Sequence, residues 1–178
     1  MEPRIDYLNN GRGALDAMFG LEKYLAQSGL DHKLMTLIKL RASQINGCAE
    51  YIDMHWKDLR AAGESEQRLY GLDAWQESPY YKERERSALA WTEAFPNIRR
   101  GQVADEVFEK TQHHFSENEL ADLTLAVATI NAWNRLVISV RAVPGKYKQA
   151  KRFLTKRRRK MRDSRRRDVT LCRSVIQF

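Results

Sequence analysis

Cysteine is scarce in this chain, with two among 178 residues, Cys48 and Cys172. They lie far apart and Cys172 sits in a charged stretch, so no disulfide framework is implied and a reducing, cytoplasmic setting is expected. Proline is nearly as rare, at four residues, and the nine glycines form no phosphate-cradling loop. Long apolar runs are missing too. The longest uncharged helical stretch, Leu123 to Asn134, is bounded by Asp122 and Arg135 and is too short to cross a bilayer, and the opening MEPRID has no apolar secretory core. Neither membrane spanning nor export is expected. His113 and His114 are adjacent, so on a helix they diverge by about 100° and cannot grip one ion. No cluster has metal-ligand spacing, and neither a metal nor another cofactor is expected. Internal repeats and catalytic serine motifs are also lacking.

What is present is apolar residues at spacings of three and four. With 43% hydrophobic residues, the chain can bury a globular core. After an extended lead, Leu15, Met18, Leu21 and Leu25 mark a helix over residues 14–27. Asp31 is placed to cap a second helix, whose Leu34, Leu37, Ile38 and Ile45 form an inward stripe, and Gly63 to close a third in the left-handed conformation. A short helix follows over 64–75. Ser78-Pro79 reads as the cap and first turn of a longer one through Ala94, where Trp91 is a packing residue and Pro96 the stop. Another runs from about Ala104 to His114. Ser116 and Glu119 form a capping box for the last, 119–141. On it Leu120, Leu123, Val127, Ile130, Asn134 and Val137 trace one stripe, and Leu125, Ala128, Ala132 and Leu136 a second. Such a helix is expected to be buried on both sides, centrally or at a subunit contact. The fold class is all-α.

Charge divides the chain at Pro144. Residues 144–178 hold fourteen Lys and Arg against Asp163 and Asp168, so the net +8 of the chain leaves residues 1–143 at −4. The expected organisation is a helical domain over 1–143 and a basic, flexible tail over 144–178. Such a tail can attract nucleic acid weakly and non-specifically through phosphates. It has few aromatics for base stacking, only Tyr147 and Phe153 near its start, and an appended or frame-shifted extension would have the same composition.

The chemistry concentrates between Leu34 and Gly63. Asn46-Gly47 forms a corner between two helices, with Asn46 read as the cap of the second and Cys48 on its first turn. A thiol there feels the positive end of the helix dipole, which favours thiolate. Cys48, Tyr51, Ile52 and His55 recur on one side, with His55 two turns along, roughly 10 Å by rise. A proton could pass between Cys48 and His55 only through water or substrate. Tyr51 lies between them and could donate a hydrogen bond to a peroxide or fill the pocket. Glu50, about 200° around the helix from Cys48, points away from the thiol and reads as a first-turn carboxylate that favours the helix. Asn131 and Asn134, polar on an apolar helix, either line the pocket beneath His55 or buttress it. The plain alternative is that Cys48 and His55 are ordinary residues of a packed helix.

The run KLRASQINGCAEYIDMH, with PRIDY, GESEQRLYGLDAW, ERERSALAWTEA and LTLAVATINAWNRL before AVPG, resembles the alkylhydroperoxidase D-like branch of the carboxymuconolactone decarboxylase family. The resemblance covers most of residues 1–145. It implies an alkylhydroperoxidase D-like helical bundle, oligomeric as a homo-trimer or hexamer, that reduces hydroperoxides with a Cys-x-x-Cys pair, a histidine and an upstream glutamate. Cys48 and His55 match that pattern as catalytic residues. Tyr51 stands at the second cysteine and Thr36 at the glutamate, so no local disulfide can close. The function implied is a hydroperoxide-reducing antioxidant enzyme, with Cys48 as nucleophile, His55 as acid or base, and a thiol reductant as partner. Two alternatives stand beside it: a cofactor-independent lactone decarboxylase using His55, and a catalytically silent oligomeric scaffold.

Overall fold

The computed structural model describes residues 2–95 and 103–149. Among these there are eight α-helices and no strand. They are α1 (Tyr7–Asn10), α2 (Arg12–Leu25), α3 (His32–Ile45), α4 (Ala49–Ala61), α5 (Glu66–Tyr70), α6 (Glu83–Ala94), α7 (Asp105–Gln112) and α8 (Glu117–Val140), with a 3-10 turn (Gly71–Ala74) after α5. Pro96 and the basic stretch from 150 onward, including Phe153 and Cys172, lie outside the described residues.

Local chemistry explains most helix ends. The Asp31 carboxylate accepts the Leu34 amide at 2.9 Å, capping α3. Ser116 and Glu119 form the reciprocal capping box of α8. Gly63, at φ +82°, closes α4: its amide bonds Arg60 O at 3.0 Å and the Glu64 amide bonds Leu59 O at 2.9 Å.

Two expected boundaries differ. The lead is not wholly extended, because the Asp6 side chain accepts from the Asn9 amide and winds the one-turn α1. Ser78-Pro79 does not start α6. The Arg86 guanidinium gathers the carbonyls of Trp75, Gln76 and Ser78, holding that segment as a loop. The helix begins after Lys82, whose amide donates to the Glu85 carboxylate at 2.8 Å.

The helix buried on every side is α3, in which all seven residues from Leu34 to Leu40 are buried. Its Leu34 and Ile38 pack with Trp91, Leu123 and Val127, while Leu37 and Leu40 pack with Leu59, Leu72, Trp75 and Leu89. Trp91 is a core residue, as its size suggests, and its indole N–H donates to Thr124 at 3.2 Å. Helix α8 buries the expected stripe against α3 and α2. Its second side is only half covered: Leu125, Ala132 and Leu136 are half-buried and Ala128 is exposed. By length and composition alone α8 could cross a membrane, but half of it is packed inside this bundle.

A third apolar cluster lies where α2, α4 and the lower half of α8 meet. It contains Leu15, Met18, Cys48, Tyr51, Met54, Ile130, Trp133 and Val137, with Tyr147 from the chain after α8. Tyr147 is buried and donates its hydroxyl to Asp58 at 2.7 Å, while Lys57 donates to Tyr147 O at 3.2 Å. The first residues after Pro144 are therefore part of the folded domain. The motif around Cys48 is enclosed by this cluster.

Candidate functional site

The corner that presents Cys48 is built by the end of α3. Gly47 is left-handed at φ +65°; its amide bonds Gln44 O at 3.1 Å and the Cys48 amide bonds Ser43 O at 2.9 Å. This pair of bonds satisfies the last carbonyls of α3, and only glycine takes that backbone without strain. Cys48 then turns extended (φ −89°, ψ 93°) and serves as the N-cap of α4. Asn46 does not cap α4. It ends α3, and its amide donates to Asn131 Oδ1 at 2.8 Å, tying the corner to α8.

The N-cap placement changes what the thiol faces. At an N-cap the side chain lies over the amides of the second and third helical residues, here Glu50 and Tyr51. Counting 100° per residue from Cys48 is thus misleading, because Cys48 is not in the helix. Cys48 is 1% exposed. Burial raises its pKa above that of a free thiol, the Tyr51 amide opposes this, and the negative charge of Glu50 raises it again. The expected dipole-stabilised thiolate is thereby overturned: desolvation and a neighbouring carboxylate outweigh the helix terminus.

Glu50 departs most from the sequence reading. It is buried, and neither carboxylate oxygen has a hydrogen-bond partner. Its pKa is pushed up to about 7, chiefly by burial and then by Asp53, with Lys57 and Lys146 pulling the other way. Burial, then the same carboxylate and Cys48, raise the Tyr7 phenol to about 12. A signal in the sequence could have found this residue. Placing the helix start after Cys48, as Gly47 demands, puts Glu50 at the second helical position, whose amide faces an N-cap side chain.

His55 is 6% exposed and its Nε2 has no partner. Burial, then electrostatic repulsion from Lys39 and His32, lowers its pKa well below the usual histidine value, so it is a neutral imidazole at physiological pH. The Tyr51 ring stacks on it, with centroids 5.6 Å apart and planes at 23°, and also meets Trp133 at 6.1 Å. Behind them Glu22 accepts from the Trp133 indole at 3.2 Å and pairs with Lys39 at 2.6 Å. Tyr51 therefore fills the turn between thiol and imidazole.

The remaining site candidates are held by structural bonds. Thr36, at the position where the family pattern has glutamate, donates to His32 O at 2.8 Å and so bonds within its own helix. Asn131 accepts from Asn46 and from Arg135 and donates to Val127 O at 2.8 Å. Asn134 is fully buried beside Ser43, whose hydroxyl approaches its Oδ1 at 3.2 Å; its Nδ2 has no partner. For both asparagines the hydrogen bonds made are those of buttresses. Among the described residues no group of His, Cys, Asp and Glu is arranged to hold a metal.

Comparison with known proteins places this arrangement. The uncharacterized protein YdfG of Bacillus subtilis is 39% identical over 140 residues, spanning 79% of this chain and 95% of that protein. A protein of unknown function from Agrobacterium tumefaciens, described as a candidate antioxidant defence protein AhpD, superposes with a TM-score of 0.78 at 42% identity, over 81% of this chain and 99% of that one. A peroxidase-related protein from Ralstonia eutropha, described as an alkylhydroperoxidase AhpD core, shares the fold at a TM-score of 0.65 and 18% identity, over 76% and 72% of the two chains. Residues 12–94, from the start of α2 to the end of α6, match the profile of the carboxymuconolactone decarboxylase family. With the Gly47-Cys48 corner, His55 two turns further along α4 and an AhpD-like all-helical fold, the chain belongs to the carboxymuconolactone decarboxylase family.

Proposed function

We propose that the protein is an alkylhydroperoxidase D-like enzyme that reduces hydroperoxides through one cysteine, Cys48. The observation that carries this reading is the N-cap placement of Cys48, whose sulfur makes no capping hydrogen bond although the Tyr51 and Glu50 amides act to lower its pKa, together with the buried and unpartnered Glu50 carboxylate that acts on it. The thiolate attacks a peroxide oxygen, the O–O bond breaks, and Cys48 becomes sulfenic acid as an alcohol leaves. An external thiol then condenses with the sulfenic acid, releasing water, and a second thiol frees Cys48 as an external disulfide forms. Because burial keeps the resting group a thiol, turnover at neutral pH is slow. The half-buried second side of α8 supports working assembly as a homo-oligomer, trimeric or hexameric as the family resemblance implies.

The test is peroxide consumption by the purified protein with dithiothreitol, beside Cys48→Ser and Cys172→Ser. Turnover that disappears only with Cys48→Ser supports the reading; turnover unchanged in Cys48→Ser refutes it. The neutral imidazole of His55, with Nε2 unpartnered, favours one other reading, proton transfer to a small acidic lactone. Activity on a lactone that survives thiol blocking and is lost in His55→Gln would replace the first.

A further inference from the structure

We propose that Glu50, rather than His55, takes the proton from the Cys48 thiol and returns it to the departing alkoxide. The inference deepens the one-cysteine reading and rests on it. Its first support is position: Cys48 is the N-cap and Glu50 the second helical residue, so the thiol lies over the backbone that carries Glu50. The second is independent of the cysteine. Glu50 is only 3% exposed, yet both carboxylate oxygens lack a hydrogen-bond partner. Leaving an acceptor so buried without a hydrogen bond is costly, because it has given up water and gained nothing in exchange. A reacting proton, carried directly or by one water, is a partner of the required kind.

His55 is less suited. It lies two helical turns from Cys48, and the Tyr51 ring is stacked against it in the intervening turn. The Glu50 carboxyl ionises near 7, where a proton carrier is most effective at cellular pH. Burial sets this value, followed by Asp53 and Lys57 on α4 and Lys146 after α8, while Tyr7 on α1, Cys48 and Tyr51 face the same carboxylate and are each raised in part by it.

The step balances. The thiol proton passes to the Glu50 carboxylate, and the thiolate sulfur bonds to the terminal peroxide oxygen, which keeps its hydrogen. The O–O pair leaves on the alkoxide, which takes the proton back from Glu50. Sulfur is oxidised, the peroxide is reduced to an alcohol, and Glu50 ends as it began.

The experiment uses the full chain carrying Cys172→Ser, so that Cys48 is the one thiol. Rates of Cys48 oxidation by hydrogen peroxide and of its modification by methyl methanethiosulfonate are measured from about pH 6 to about pH 9.5 in four proteins: the parent, Glu50→Gln, Glu50→Asp and His55→Gln. In the parent both rates should inflect near pH 7 and flatten, while in Glu50→Gln they should follow the thiol's own ionisation without that inflection. At pH 7.5 the loss with peroxide should be on the order of tenfold or more. At high pH Glu50→Gln should be the faster protein, because the negative neighbour that raised the thiol pKa is gone; this crossing is a result that mere misfolding would not give. Glu50→Asp and His55→Gln should keep the inflection. The inference is overturned if the parent and Glu50→Gln profiles are parallel, or if His55→Gln removes the inflection. An inflection seen with the thiosulfonate but no reaction with peroxide would instead defeat the hydroperoxide reading and leave the proton assignment standing.

Discussion

Replacing Tyr51 with cysteine tests whether one side chain separates this chain from a dithiol peroxidase. The structural loss can be worked from contacts. Tyr51 is 5% exposed, stacks on His55 at 5.6 Å and meets Trp133 at 6.1 Å. Each aromatic contact contributes about 0.5–1.5 kcal/mol beyond area burial. Complete truncation of a buried aromatic costs about 3–5 kcal/mol, and cysteine retains its γ atom, so about 2–4 kcal/mol is expected. A domain of ordinary stability, roughly 5–15 kcal/mol, stays folded.

The gain is geometric. An N-cap residue and the third helical residue converge, as in a capping box, and Cα atoms about 5.5–6 Å apart suit a disulfide. The new thiol also stands one turn before His55, in space vacated by the phenol. Peroxide consumption with dithiothreitol should rise on the order of tenfold or more over the parent, accompanied by an intramolecular disulfide. A urea melt checks the stability cost. A folded variant that forms the disulfide yet consumes peroxide no faster than the parent would refute the idea that the second thiol is what the scaffold lacks. A parent already as fast as the variant would refute it equally.

Three smaller perturbations probe the frame of the site. Glu50 has a raised pKa, so its stabilising protonated form is fully present below the unfolded value and is lost as pH rises through about 7. Unfolding free energies of the parent from urea titration should therefore fall relative to Glu50→Gln between about pH 5 and about pH 8, by on the order of 1–2 kcal/mol after allowing for solvent screening; a pH-independent difference would show that the carboxyl is not desolvated. Lys39→Met removes the buried partner of Glu22, 2.6 Å away, and should cost about 3 kcal/mol in chemical denaturation. A loss under about 0.5 kcal/mol would show that the pair is no strut. At Gly47 an added Cβ would meet nothing, so Gly47→Ala isolates the backbone penalty at φ +65° and should cost about 1–2 kcal/mol by thermal unfolding.

The helices were legible because burial at spacings of three and four is imposed by the 3.6-residue turn, and the caps at Asp31, Gly63 and Ser116 because each satisfies orphan backbone groups with one nearby side chain or one glycine. Ser78-Pro79 misled because its signal is local, whereas the Arg86 guanidinium that holds the loop reaches back from the next helix. The relative burial of α3 and α8 was likewise hidden: α3 carries Thr36 and Lys39 at buried positions, which dilutes its apolar pattern although it lies deeper. Lys39 reads as surface until Glu22, seventeen positions earlier in the chain, is seen beside it.

The error at Cys48 was of one residue and reversed the chemistry. Counted as the first helical turn, the thiol gains a dipole and points away from Glu50. As the N-cap, made so by the left-handed Gly47, it is enclosed with that carboxylate and loses more to desolvation than the dipole returns. The same corner explains why losing the upstream glutamate need not empty the site of proton chemistry. Thr36 spends its hydroxyl on its own helix, while the buried Glu50 offers two oxygens without a hydrogen-bond partner. Tyr51 stacks on His55 and meets Trp133, whose indole donates to Glu22, while Glu50 acts electrostatically on Cys48 and Tyr7. In the proposed one-cysteine reaction the proton work falls to Cys48 and Glu50, and the neutral imidazole of His55 is left to the lactone reading.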